Sequence, residues 1–268
     1  MNNLHRELAP ISEKAWAQIE QEASRTLKRH LAARRVVDVV GPKGSEFSAV
    51  GTGHLQKIQP PLDDIQSAQH EVKPLVQLRV PFELSRQDID SVERGANDPN
   101  LQPLKDAARK LAFAEDGAVF EGYESAGIQG IRQATSNTAM TFPSDVESYP
   151  AVVAQAVSEL RDAGVNGPYM LLLGEQAYTA VSGATDDGYP VLKDIRNLVD
   201  GEIIWAPAIK GGVVLSTRGG DFELHLGQDI SIGYLSHTES TVRLYLQETF
   251  TFLQLTAEAA VVLAAGSK

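Results

Sequence analysis

Cysteine is absent from all 268 residues. Its absence removes disulfides, thiolate metal sites and cysteine nucleophiles together, and it fits a reducing compartment. Positive charge is also in deficit. The 24 Lys and Arg against 35 Asp and Glu leave a formal net charge of −11, which argues against a dedicated nucleic-acid binder while leaving room for local basic patches. No apolar run approaches a membrane span, and "AAVVLAA" (Ala259–Ala265) is far too short. The opening "MNNLHRELAP" contains no apolar core of the kind a secretory signal needs. These absences, with ordinary globular composition (43% hydrophobic, 22% charged), predict a soluble, cytoplasmic protein of one large or two modest domains.

Reaction motifs are missing as well. "GPKGSE" (Gly41–Glu46) lacks the ending a phosphate cradle requires, and no G-x-G-x-x-G follows a strand. "GYESAG" (Gly122–Gly127) does not have the spacing of a nucleophile elbow, so Ser125 is a poor catalytic candidate. The six histidines are scattered without the spacing of zinc hydrolases, so no metal site is predicted. Asp186 and Asp187 in "GATDDGYP" could hold a hard cation, but a polar turn closed by Gly188 is favoured. Arg25, Lys28, Arg29, Arg34 and Arg35 could meet phosphates; a solvated helix end, matched to the helix dipole, is favoured.

The elements themselves are well marked. Ser12 is a plausible N-cap for a helix whose stripe is Trp16, Ile19, Ala23, Leu27 and Leu31. "VVDVVGPKG" follows as a short strand. Residues 45–78 form a polar, glycine-dotted excursion around Pro60-Pro61, with strand-like flanks and no core of its own. An interfacial hairpin and a floppy surface loop are equally compatible with that composition. Ser85 with Asp88 reads as a capping box opening a short helix, and a longer helix runs from Pro103 toward Phe120. From about Asn137 to Arg218, apolar strands ("YMLLLG", "EIIWAP", "GVVLST") alternate with helices near 151–163, 176–181 and 191–199, which predicts an α/β insertion. From Thr241 the chain alternates again. Val242, Leu244 and Leu246 share one face, and Arg243, Tyr245 and Gln247 the other, flanked by Glu248. A catalytic cleft, a ligand groove or a subunit contact could each use that polar face. The strand is expected to pair back with the first half of the chain.

"APISEKAWAQIEQEASRTLKRHLAARRVVDVVGPKG", "SVERGANDPNL", "AFAEDGAVFEGYESAGIQGI" and "RGGDFELHLGQDISIGYLSHTESTVRLYLQETFTF" together resemble the family 1 encapsulins, linocin-like shell proteins, and their actinobacterial branch in particular. The resemblance runs from about Leu8 to Leu263. It implies an α+β chain with the HK97 phage-capsid-like fold. Residues 1–44 would form the N-terminal helix and first P-domain strand, 45–78 the E-loop and 79–136 the P-domain with its long helix. Residues 137–220 would form the A-domain, and 221–268 the closing P-domain strands and tail. It further implies no catalysis and no cofactor, and a closed icosahedral shell, most simply of about sixty subunits. That shell would lie in the cytoplasm, with export left open, around a dye-decolorizing peroxidase or a ferritin-like protein. A carboxy-terminal cargo peptide would seat on Leu31, Arg34, Val36 and Asp38 with Ile230, Ile232 and Tyr234. Asp186, Asp187, Gly188 and Tyr189 would lie at a fivefold pore. Some members stack a flavin on a tryptophan where this chain has Gln87, so no flavin is expected. A bacteriocin or peptidase activity, also described for the family, is the rival reading, and no residue constellation supplies it.

Overall fold

The computed structural model describes residues 3–266; residues 1–2 and 267–268, the extreme ends of the first and last expected segments, lie outside it. In chain order the first part contains α1 (Glu13–His30), β1 (Asp38–Val40), β2 (Ala49–Ile58), β3 (Ser67–Pro74) and β4 (Val76–Ser85). Then come α2 (Arg86–Glu93), α3 (Gln102–Phe120) and the one-turn α4 (Ile131–Ala134). The middle holds β5 (Met140–Thr141), α5 (Tyr149–Asp162), β6 (Tyr169–Leu173), α6 (Glu175–Gly183), β7 (Thr185–Asp186), β8 (Tyr189–Pro190) and α7 (Val191–Leu198). The remaining strands are β9 (Ile203–Trp205), β10 (Gly212–Ser216), β11 (Phe222–Leu226), β12 (Ser231–His237), β13 (Thr241–Gln254) and β14 (Ala260–Ala264).

The helix starts follow their capping residues. Ser12 Oγ accepts the Ala15 N–H at 3.3 Å, and Ser85 Oγ accepts the Asp88 N–H at 3.4 Å, each satisfying a donor that the first turn leaves orphaned. Pro103 sits in the first turn of α3, where its missing N–H costs nothing. Along α1, Ala15, Ile19, Ala23 and Leu27 are buried, while Trp16 is only half-buried and Leu31 already lies past the last helical residue.

The fold turns on β13. Its residues 241–250 pair with β4 along one edge, and its opposite edge takes β12 and then β11, with β1 added parallel beyond β11. The expected pairing with the first half of the chain is therefore the β4–β13 ladder. Val242, Leu244 and Leu246 enter a core with α1, α2 and α3, while Phe250 and Phe252 of the same strand enter the larger core beneath the second sheet. The odd positions form cross-strand contacts. Arg243 lies 3.9 Å from Glu83; Arg79 stands 4.2 Å over the Tyr245 ring; buried Gln247 accepts from Gln77 and Arg79 and donates to Gln228. Tyr245 in turn covers Gly233, where a Cβ would come within 2.1 Å of the ring. Glu248 has the parity of Val242, Leu244 and Leu246, so it points inward with them rather than flanking the polar face.

The second sheet has the order β5–β14–β10–β6–β9. The α5 helix packs on β10 and β14, and α7 packs on α5. One expectation is corrected here. "AVVLA" is not a tail following the closing strands of the first sheet; β14 pairs antiparallel with β10 and belongs to the α/β sheet. Four consecutive buried apolar residues suit a strand covered on both faces.

β2 and β3 pair only with each other among the described residues. Leu55, Ile58, Leu62, Ile65 and Val72 are exposed on or beside this ribbon. A two-stranded ribbon is marginal alone, and five exposed large apolar residues on it favour an interfacial hairpin over a floppy loop. In the isolated chain, a broad-specificity protease is expected to cut first between Ile58 and Ser67 and leave both sheets intact. First cleavage within β13 or α3 would contradict that hierarchy.

Candidate functional site

A cleft of about 550 Å³ opens between α1 and β12. The helix contributes Ala23, Leu27 and, just past its end, Leu31; the opposite wall contributes Ile230, Ile232 and Leu246. Lys28, Glu20 and Asp229 stand among the polar lining. The apolar wall arises from two periodicities meeting. The i, i+4 step places Ala23, Leu27 and Leu31 on one helix face, and the pleat places Ile230 and Ile232 on one strand face.

At the end of α1 lies a nest of charge. Arg34 Nε bonds both oxygens of Glu115 at 2.9 and 3.0 Å, and its terminal nitrogens reach Glu115 Oε2 at 2.5 Å, Asp229 Oδ1 at 2.7 Å and Glu248 Oε2 at 3.2 Å. Glu115 and Glu248 are fully buried. Neighbouring Asp116, also fully buried, accepts the Ala32 and Ala33 N–H groups at 2.9 and 3.0 Å. Those donors begin a short 3-10 turn, Ala33–Arg35, whose own chain supplies no cap. Burial works against the Arg34 charge, but Glu115 and then Asp229 more than reverse it and hold the guanidinium above its ordinary range. Burial pushes Asp116 up to about 7, against the pull of the Ala33 and Ala32 amides. Burial, then the charge and hydrogen bond of Glu115, raise Glu248 well above the usual carboxylate range. Glu248 therefore holds a proton more readily than an exposed carboxylate.

Of the residues expected at a cargo site, the structure gathers Leu31, Arg34, Ile230 and Ile232 around one cleft. Arg34 is bonded to three carboxylates, which tie the turn after α1 to α3, to β13 and to the segment before β12. Val36 is buried in the larger core, and Asp38 accepts the Gly220 N–H at 2.6 Å; both border a separate cleft of about 290 Å³ between the two sheets. Their displacement has a simple cause. The 3-10 turn after Leu31 redirects the chain, so β1 leaves the α1 face and runs beside β11. Tyr234 packs on the smaller core outside the cleft lining, with its hydroxyl 2.5 Å from His237 Nδ1. The residues missed were Glu115, Asp116 and Glu248. Their signal was available, because each is an acid at a position that helix or strand period assigns to the apolar face.

Asp187 and Gly188 form the two-residue turn between β7 and β8, both with positive φ (45° and 84°), the geometry of a type I′ hairpin. Asp186, Asp187 and Tyr189 are exposed at its tip. Ser125 is exposed on a 3-10 turn (Glu124–Ala126). Among the described residues no three His, Asp or Glu side chains converge as a metal site, and no helix is long and apolar enough to cross a membrane. The basic cluster is dispersed among separate partners: Arg25 pairs with Glu22, Arg35 with Glu202 at 2.5 Å, and Arg29 lies 5.8 Å over the Trp205 ring.

Residues 1–251 match the family model Linocin_M18, described as an encapsulating protein for peroxidase. A type 1 encapsulin shell protein of Rhodococcus erythropolis is 57% identical over 264 residues, spanning 98% of this chain and 100% of the relative. A virus-like particle from Pyrococcus furiosus superposes with a TM-score of 0.64 at 15% identity, covering 92% of this chain and 98% of that one. The capsid of Myoviridae phage XM1 does so with a TM-score of 0.55 at 10% identity, covering 88% and 92%. The fold is the HK97-like capsid fold.

The charge nest has a signed consequence. Asp116 and Glu248 hold protons in the fold that the unfolded chain releases above the ordinary carboxylate range, so the folded state binds more protons and stability falls as pH rises. For Asp116 the window runs from the ordinary aspartate value of 3.8 up to about 7. Denaturant midpoints are expected to be lower at pH 8 than at pH 5, and Asp116→Asn is expected to flatten that slope. Arg34→Ala strands buried carboxylates and should cost about 3–5 kcal/mol, with the larger loss at pH 8. A wild-type midpoint that rises from pH 5 to pH 8 would refute the proton assignment.

Proposed function

This chain belongs to the Linocin_M18 family of encapsulin shell proteins and is a structural subunit of a capsid-like compartment, not an enzyme; from that premise we propose that about sixty copies close into an icosahedral shell whose inner wall captures a cargo enzyme by a short carboxy-terminal peptide. The cleft between α1 and β12 carries the cargo half of this reading. Its apolar residues offer seats for Leu or Ile anchors, each worth roughly 1.5–3 kcal/mol on full burial, and an oligomeric cargo gains avidity from several such clefts at once. The cargo on this reading is a peroxidase, in keeping with the description of the family model; the dye-decolorizing type is the finer part of the proposal and rests on the family resemblance. The shell resides in the cytoplasm. The β2–β3 hairpin is the E-loop, and its exposed apolar residues find their cover on a neighbouring subunit.

Leu31, Ile230 and Ile232 form the cargo seat, with Arg34 fixing its shape from below. Asp186, Asp187, Gly188 and Tyr189 ring the fivefold opening, where stacked carboxylates favour cations over anions.

Three outcomes are expected. With 28.9 kDa subunits, light scattering should find particles of roughly 1.7 MDa for closed sixty-fold assembly; a stable monomer or small dimer at micromolar concentration would contradict it. Ile232→Asp places a carboxylate on the apolar wall. Its shells should still form but co-purify with far less cargo enzyme, and undiminished loading would move the site elsewhere. Asp186→Asn with Asp187→Asn should preserve assembly, because Asn also tolerates the left-handed turn, while reducing the cation preference of the opening. Failed assembly would make this loop structural instead.

A further inference from the structure

The segment preceding α1 crosses the cargo cleft. Leu4 is only 7% exposed and lines the cleft alongside Leu27, Ile232 and Leu246. Its carbonyl accepts the Tyr234 N–H at 2.8 Å, and the Asn3 carbonyl accepts the Tyr245 hydroxyl at 3.3 Å. The chain then bends at His5, whose φ is 50°, and makes a 3-10 turn, Arg6–Leu8, with no buried residue. Within that turn, Arg6 pairs with Glu20 at 2.5 Å and lies 4.2 Å over the Trp16 ring. The result is a strap from β12 to α1.

What the strap touches on β12 is its open edge. β12 pairs with β13 along one edge, so a Tyr234 N–H directed at Leu4 marks the other. In an antiparallel ladder, outward-facing backbone groups recur every second residue. The N–H and C=O of Ile232 therefore face the same open edge, beside the apolar wall. An extended peptide whose side chains seat on Ile230 and Ile232 can add there as a strand. Continuing two residues along, it meets the strap at Tyr234. The strap is lightly held. Its ion pair is part-exposed, with side chains 31% and 51% accessible, and such pairs contribute little. Among the described residues before Ile11, only Leu4 is buried.

Resting on the cargo-cleft reading above, we infer that the strap of residues 3–8 is a resident occupant of the cleft, and that cargo peptide binds as a strand on β12 by displacing Leu4 from Tyr234. The strap is thus a built-in competitor that sets a threshold on loading, and oligomeric cargo crosses it through avidity.

The test uses assembled wild-type, Leu4→Ser and Ile232→Asp shells. The probe is a short fluorescein-labelled peptide alternating Leu or Ile with Gly or Ser, read by anisotropy. Weakening the strap enlarges the open fraction, so the Leu4→Ser shell should bind at least about threefold tighter than wild type, whereas Ile232→Asp should lose binding. Hydrogen exchange on wild-type shells gives a readout that needs no variant. Saturating peptide should speed exchange in residues 3–8 and slow it in Ser231–His237. Leu4→Ser affinity equal to or weaker than wild type, with Ile232→Asp still defective, overturns the strap while sparing the cleft. Slowed exchange in both segments together does the same. Binding indifferent to Ile232→Asp removes the cleft reading and the strap inference with it.

Discussion

One guanidinium holds the two sides of the smaller core together. Arg34, in the 3-10 turn that follows α1, meets Glu115 of α3, Glu248 of β13 and Asp229 before β12. A single cation among three acids, two of them fully buried, does not neutralise them. Proton retention by Glu248 removes part of the excess, and Asp116 meets two backbone donors rather than the cation. A nest of this kind is a doubtful source of net stability. Its geometric consequence is clearer: α1 can end at only one place against the sheet, and the cleft wall formed by Leu27 and Leu31 is set at a fixed distance from Ile230 and Ile232.

Much of this was legible in the residues. Capping serines, helix stripes and apolar strands marked most elements to within a few positions, because each is decided by local chemistry. The alternation from Thr241 identified the strand on which both cores meet. Applied one step further, the same parity places Glu248 inward; treating it as a flank of the polar face stopped the period too soon. Glu115 and Asp116 were likewise visible as acids within "AFAEDGAVF", on a helix otherwise apolar at those positions.

Other features were not legible, for physical reasons. "AVVLA" has the composition of a buried strand in any sheet, and only the long-range pairing with β10 tells which. Val36 and Asp38 lie close in sequence to Arg34, but one 3-10 turn carries them to the cleft between the sheets. Local periodicity has no access to a turn capped by an acid 83 residues away. The cleft itself joins residues from both ends of the chain, Leu4 and Leu246 among them. Its membership follows from topology rather than from any motif.

The hairpin and the cleft divide the surface chemistry between them. Exposed apolar residues on β2 and β3 suit a partner that is another copy, whereas the α1–β12 cleft suits a narrow extended chain with an open strand edge to pair with. On the proposed reading, both serve a subunit that is assembled and filled. A cryo-electron microscopy map of the particle, purified with peptide-tagged cargo, tests that account most directly. It should show a closed icosahedral shell, each β2–β3 hairpin lying across a neighbouring subunit, and added density along β12 on the lumenal wall. An open assembly, a hairpin folded back on its own subunit, or cargo density on the outer face would contradict it.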